Sequence, residues 1–371
     1  MRLLYIADNG FSYHEGYYYY TRPNEVNSSQ YLRYFDDVLY IARKSSYKGN
    51  EIRIKANSKV RLVGRYDIIA LRKAMNNLED DYDVVLVRSG FLGCFAARYA
   101  KQLGKILISF SGSDPYEFYM SKKTLKSYFI AHIWRKWESK KMMLADYAHY
   151  CTSVLYERYP CNCPFLVCSD VNVHKDEIAL KNRIDKIVSR RDEVVVGLMG
   201  QFDSNENKGI PFAIRALGLL PSNYRIEIVG NGRPEKYKKL IDKIGLGQKV
   251  LFKGYYQDKR KIDSWLDSVD IYIQPSLSEG LPRATIEAMS RGCPVIGSDV
   301  CGMKDLLPNE WMVNPKDYRA LASAIKRMAH VELMKKAAER NYKVACNYTS
   351  EIRDKKMDIF FGMIVNQCAN G

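Results

Sequence analysis

The sequence predicts an α/β protein of two domains, each a parallel sheet covered by helices. Three observations carry this. The chain has 371 residues, more than one hydrophobic core usually serves. Its hydrophobic content is 47% and its aromatic content 12%, which suits packed cores and excludes a disordered chain. From Val194 onward, short apolar runs alternate regularly with amphipathic segments, the mark of βαβ units.

In the first half, "RLLYIAD", "DVVLVRSG" and "KILISFSG" read as buried parallel strands, and "FLGCFAARYAKQLG" as the helix joining the last two. The tyrosine-rich stretch from Glu15 to Lys59 has no clear period. "YYYY" within it suits an edge strand or packed turn better than a stacking platform for a sugar. The polar run "VNVHKDEIALKNRIDKIVSRRDE" reads as the passage between domains. In the second half, "VVVGLMG", "RIEIVGNG", "KVLFKG", "DIYIQP" and "PVIGSD" are strands. "IPFAIRALGLL", "PEKYKKLIDKIGLG", "KIDSWLDSV" and "PRATIEAMSRG" are the helices between them. The domains are expected at 1–188 and 189–349, and an amphipathic final segment, 350–371, is expected to pack back on the first.

Composition excludes several classes. No apolar run approaches the 18 residues of a membrane span, and "MRLLYIADNG" lacks the apolar region of a signal peptide. Nine cysteines at scattered spacings fit reduced thiols in the cytoplasm, and "CNC" (Cys161, Cys163) has no second pair at zinc-finger spacing. "LEDDYD" has a D-x-D form, but it precedes a strand, where a turn is expected rather than a metal site. The net charge of +16 favours polyanionic partners such as anionic lipid or phosphorylated substrates. No nucleic-acid module is present, so nucleic acid is not an expected partner.

The chemistry concentrates in "SEGLPRATIEAMSRGCPVIGSD", residues 278–299. A strand ends at Pro275, a loop follows, and Pro282 stands where the first position of a helix belongs. The N–H groups of that first turn sit at the carboxyl end of a parallel sheet, where anions bind. Gly280 allows a close approach of ligand to backbone. Glu287 lies about 7 Å beyond the helix start at ~1.5 Å per residue. With a diphosphate at the helix tip, it could hold the hydroxyls of a ribose, while Glu279 could face a sugar. A nucleoside diphosphate sugar uses all of these groups, whereas ordinary helix punctuation leaves Glu279 beside an anion-binding turn unexplained.

"EGLPRATIE" resembles the E-x7-E element of the family 4 retaining glycosyltransferases. "VGLMGQFDSNENKG", "IVGNGRP" and "EAMSRGCPVIGSD" are similar, in order, to other elements of that family. The resemblance covers residues 194–330 well and the first half weakly. It implies two Rossmann-like domains with parallel sheets facing a cleft, the GT-B fold. By this resemblance Glu279 would lie at the catalytic centre beside Lys208, which would neutralise the departing diphosphate. Glu287 would bind the donor ribose. Gly280, Leu281, Pro282 and Arg283 would hold the diphosphate, with Gly200, Gln201 and Gly230 completing the donor site. No metal or cofactor would be required, the nucleotide sugar being a substrate. Asn9, Gly10, Ser111 and Asp114 would lie on the acceptor or cleft side.

Three departures bear on activity. Gln201 stands where the family has arginine, with Arg283 as a candidate substitute for its charge. "FSGSDP" puts Ser111 where the family has histidine, and the N-terminal glycine-rich loop is reduced to Asn9 and Gly10.

Residues 120–144 hold seven cations against the single acid Glu138, interleaved with Trp134, Trp137, Tyr128 and Phe129. This pattern suits a helix on an anionic membrane surface better than a domain helix with a core face and one solvated basic face.

The expectation is a cytoplasmic, peripheral, metal-independent retaining enzyme. It would move a hexose from a UDP- or GDP-sugar to a lipid-linked or oligosaccharide acceptor of a surface polysaccharide. A nucleotide-sugar 2-epimerase, or a degenerate non-catalytic sugar-nucleotide-binding protein, are the alternatives.

Overall fold

The computed structural model describes residues 1–20, 30–49, 51–54, 59–189, 192–202 and 207–370. The chain divides into two compact units, 1–170 with 353–371, and 171–352. The break falls well before residue 188, because the polar segment expected to link the domains is the helix Glu177–Val188 of the second unit. Its Arg183 is buried and donates to the backbone oxygens of Leu266 (2.7 Å) and Arg291 (3.2 Å). A buried arginine capping carbonyls reads, in sequence, like solvated linker.

The first unit is built on β1 (Arg2–His14), β2 (Tyr17–Tyr20), β3 (Asp37–Lys44), β4 (Ile52–Arg53), β5 (Val60–Val63), β6 (Val84–Val87), β7 (Ile106–Ser111), β8 (Tyr147–Tyr150) and β9 (Phe165–Val167). The run β5-β3-β1-β6-β7-β8-β9 is parallel throughout. Strand β1 outruns its neighbour β6 at the carboxyl edge and turns back antiparallel into β2, which pairs in turn with β4. The turn needs two residues with positive φ, Glu15 (+46°) and Gly16 (+82°), as a two-residue hairpin with strand-compatible twist requires. "YYYY" is therefore a strand with Tyr20 buried at its end. The "LEDDYD" segment forms the short helical turn Glu79–Asp81, whose Asp81 pairs with Lys59 and Arg2.

One face of this sheet packs on helices Ile68–Asn76 and Phe91–Gln102 through Leu71, Met75, Leu92 and Ala96. The other face is closed by the final helix Ser350–Asn370, whose Phe360, Phe361 and Ile364 join Tyr31 and Phe35 in the core.

The second unit carries β10 (Val194–Met199), β11 (Tyr224–Val229), β12 (Val250–Gly254), β13 (Ile271–Gln274), β14 (Val295–Ser298) and β15 (Met312–Val313). They form one parallel sheet in the order β12-β11-β10-β13-β14-β15. The order reverses between β10 and β13, and the crevice at the carboxyl ends of such strands is where open α/β sheets bind ligands. Apolar runs without alternation, as in β13 with all four residues buried, follow from burial on both faces.

Candidate active site

At the reversal point, the loops after β10 and β13 are locked together. Gly209 (φ +70°) precedes the helix Ile210–Leu217, and a Cβ there would lie 1.8 Å from the carbonyl oxygen of Pro275. Only glycine permits that approach, and it brings Lys208 beside the loop that follows β13. Leu277 donates to the Asn207 carbonyl at 2.8 Å and the Asn207 amide to that of Ser278 at 3.1 Å, so two separate loops move as one.

Lys208 Nζ lies 2.7 Å from Glu279 Oε1. The same oxygen accepts from Ser276 Oγ (2.6 Å) and, more weakly, Gln274 Nε2 (3.4 Å). Gln274 is itself held by Tyr272, whose hydroxyl donates to its Oε1 at 2.8 Å. Every bond to this carboxylate thus falls on Oε1; among the described residues Oε2 has none. The chain Tyr272–Gln274–Ser276 comes from the end of β13 and is buried, so the glutamate is held by the rigid sheet rather than by a mobile loop.

The helix Arg283–Ser290 begins one residue later than expected, with Pro282 at its N-cap, and no side chain caps it. Its first turn keeps the anion-binding character described above. Glu287 lies within this helix, and its carboxylate has no hydrogen-bond or ion partner among the described residues. Burial holds it above the usual carboxylate range, with Lys259 and Arg283 drawing it partly back and Asp263 opposing them.

A cavity of about 570 Å³ brings together Gly200, Gln201, Lys208, Gly230, Glu279, Leu281, Arg283 and Glu287. Gly280 and Pro282 flank that wall in the chain. Residues 203–206 of the "QFDSNENKG" loop lie outside the described residues. Gln201 is in the wall where the resemblance places arginine, and Arg283 is in the same wall. Tyr255, Tyr256 and Ile262 also line it and were not anticipated. Their sequence signal was "FKGYYQ", two aromatic residues just past the carboxyl end of a parallel strand.

The sequence-derived residues of the first unit are placed differently. Asn9 and Gly10 form no loop; β1 runs through them with a shift of register against β3 between Ala7 and Gly10. Ser111 is fully buried and donates to Glu138 Oε1 at 3.1 Å. Asp114 is buried, caps the helix Pro115–Met120, accepts from Tyr159 (2.6 Å) and pairs with Arg158. Glu138 and Lys141, read from sequence as surface charges, form a fully buried pair at 2.7 Å. Ser89 donates to Glu138 at 2.7 Å and Lys141 to the Phe110 carbonyl at 2.8 Å. A Glu–Lys pair three residues apart looks like an ordinary surface pair, so no sequence signal marked it as internal.

Residues 193–330 match the family model of the glycosyl transferases group 1. The two α/β units are those of GT-B glycosyltransferases: sucrose-phosphate synthase of Thermosynechococcus elongatus superposes with a TM-score of 0.70 over 100% of this chain and 99% of that one, at 16% identity. With that fold and that domain, the chain is an enzyme of the glycosyltransferase class. Over nearly its whole length it is similar to Protein CapJ of Staphylococcus aureus, 27% identical across 88% of this chain and 86% of that protein. It is also similar to the UDP-Gal:alpha-D-GlcNAc-diphosphoundecaprenol alpha-1,3-galactosyltransferase of Escherichia coli, 29% identical over 40% of this chain and 39% of that enzyme.

Proposed function

We propose that this enzyme is a metal-independent retaining hexosyltransferase. It moves a sugar from a nucleoside diphosphate donor in the second unit to a lipid-linked acceptor of surface polysaccharide synthesis, at an anionic membrane face that residues 120–144 contact. The observation that carries the donor reading is Glu287, a mostly buried carboxylate without a partner among the described residues, in one cavity with an uncapped helix start and the Lys208–Glu279 pair. Desolvating a carboxylate with nothing to accept from is unfavourable, and two ribose hydroxyls would offset that cost. In this reading the donor diphosphate lies at the Arg283 end of the helix and draws Lys208 from Glu279. The lysine then neutralises charge on the departing nucleoside diphosphate as the glycosidic bond to it breaks. Glu279, still held by Ser276, offers Oε2 to the sugar. The acceptor is inferred from the lipid-linked substrate named for the Escherichia coli relative.

The test is thermal stabilisation of the full chain by UDP, GDP and their sugars with EDTA present. A rise in melting temperature with UDP or GDP supports the donor site, since a ligand of the native state stabilises it by linkage. No rise with any nucleotide overturns it. A shift without transfer to any lipid-linked acceptor favours the non-catalytic binder, a reading supported by Gln201 and by the internal use of Ser111. Turnover of free nucleotide sugar without an acceptor would identify an epimerase.

A further inference from the structure

The first unit holds a second cavity that the transfer reaction does not use. It measures about 170 Å³ and lies among the helices Ile68–Asn76, Phe91–Gln102 and Leu125–Met143. Leu71, Phe95, Trp137 and Leu144 give it apolar walls, and Arg72, Arg98 and Lys140 stand around it. None of these three cations pairs with a carboxylate among the described residues; Arg72 only stacks over Tyr99. By contrast Lys101, on the same helix as Arg98, is neutralised by Asp146 at 2.7 Å. Glu138, the one acid of the helix Leu125–Met143, is consumed internally by Lys141.

The surface beside this cavity has a matching character. Leu125, Phe129, Lys136, Lys140 and Met143 recur at helical spacing, so they share one face, and all are exposed. Leu125 is 90% and Phe129 70% exposed, and Ile69, next to a wall residue, is 82% exposed. Trp134 and Trp137 do not lie on that face. Trp137 packs against Phe91 and Phe95, and Trp134 against Trp137, which places the Trp137 indole in the cavity wall rather than on the outer stripe.

We propose that this cavity takes part of an acyl chain of an anionic membrane phospholipid, with Arg72, Arg98 and Lys140 holding its phosphate. The volume is close to the ~150 Å³ of a dry apolar cavity that accepts benzene, so several methylenes fit. Unpaired cations around an apolar cavity are complementary to a lipid with a negative headgroup, and the apolar and lysine stripe is what a helix lying on such a surface presents. The cavity runs from the start of the helix Ile68–Asn76, at Ile68, to the ends of the other two helices, at Gln102 and Leu144. None of its lining residues lines the cavity of Lys208, Glu279 and Glu287, so a lipid bound here anchors the enzyme apart from that site. The inference rests on the lipid-linked acceptor reading for its membrane and on the cavity for its site.

The experiment uses the full chain and vesicles whose phospholipids carry brominated acyl chains, which quench a nearby indole. The other tryptophans outside this cluster, Trp265 and Trp311, are buried in the second unit. Brominated phosphatidylglycerol is expected to quench the fluorescence, and Trp137→Phe to remove most of that quenching. Brominated phosphatidylcholine should quench little. The double variant Arg98→Ala/Lys140→Ala, at exposed positions, should weaken binding to phosphatidylglycerol about tenfold with an unchanged melting temperature. Sedimentation with vesicles but no quenching of Trp137 would overturn the cavity in favour of surface adsorption. Equal quenching by both lipids would overturn the role of the cations, and absence of binding would overturn the whole. Quenching by traces of polyprenyl phosphate in neutral vesicles, with phosphatidylglycerol inactive, would make the occupant an acceptor lipid and also overturn the proposal. A lost UDP shift with intact quenching sinks the donor reading alone, and an intact UDP shift without quenching sinks this one alone.

Discussion

The two units carry the same kind of sheet and use its carboxyl edge in opposite ways. In the first, several polar groups of that edge are spent on one another: Ser89 and Ser111 on Glu138, Glu138 on Lys141, and Asp114 on Tyr159 and Arg158, while Asp8 Oδ1 is buried with no hydrogen-bond partner among the described residues. In the second, Glu287 has no hydrogen-bond or ion partner among the described residues, and Glu279 takes all its bonds among them on Oε1, both beside a cavity. A polar cluster satisfied from within specifies a fold, whereas one left partly unsatisfied beside a cavity is arranged for something absent. The contrast supports the proposed donor site more than any single motif does.

Several substitutions would break or sharpen that contrast. The largest effect should come from Glu138→Ala, which strands Lys141 in the core. A loss of about 3–5 kcal/mol is expected in denaturant unfolding. Replacing both residues by methionine should recover most of it, and if the single variant is neutral the pair is not buried as described. Next is Lys208→Ala: roughly a 100-fold fall in kcat, with the UDP shift in melting temperature largely kept. A fall in affinity alone would make the lysine a binding group and not a leaving-group stabiliser.

Glu287→Gln should act on stability and binding in opposite directions. Burial raises the folded pKa of Glu287 above its unfolded value, so the native state disfavours the charged form. That penalty is present above the raised pKa and is relieved as pH falls through it. The variant should therefore melt about 1–3 °C higher than wild type at neutral pH, with the gap closing towards acid. Its nucleotide affinity should fall about tenfold or more, measured by titration calorimetry. A lower melting temperature at neutral pH would mean that the carboxylate has a partner in the native state. The smallest effect is expected of Ser111→Ala, a loss of about 1 kcal/mol in stability with kcat unchanged. A large fall in kcat would return Ser111 to the acceptor side.

Much of the second unit was legible because its strands are uniform apolar runs closed by glycine or proline, and because Glu279 and Glu287 flank one helix start. The first unit was harder for physical reasons. Strand β1 continues into a hairpin, so "DNG" looked like a loop although the strand runs through it, with Asp8 and Asn9 at a register shift and Gly10 paired with Arg43. Arg183, Glu138 and Lys141 are charged residues whose partners lie inside the protein, and sequence alone reads each as solvated. Tyr255 and Tyr256 could have been anticipated from their position after β12, since the residues past a parallel strand's end face the ligand crevice.

The final helix has a consequence for how the chain is made. Phe360, Phe361 and Ile364 complete a core whose other members begin at Leu3. On a ribosome the second unit, contiguous from 171 to 352, can close as soon as it emerges. The first unit must wait with Tyr31 and Phe35 uncovered until the last turns of the chain arrive. Within this sequence, the unit that begins earlier thus completes its core later.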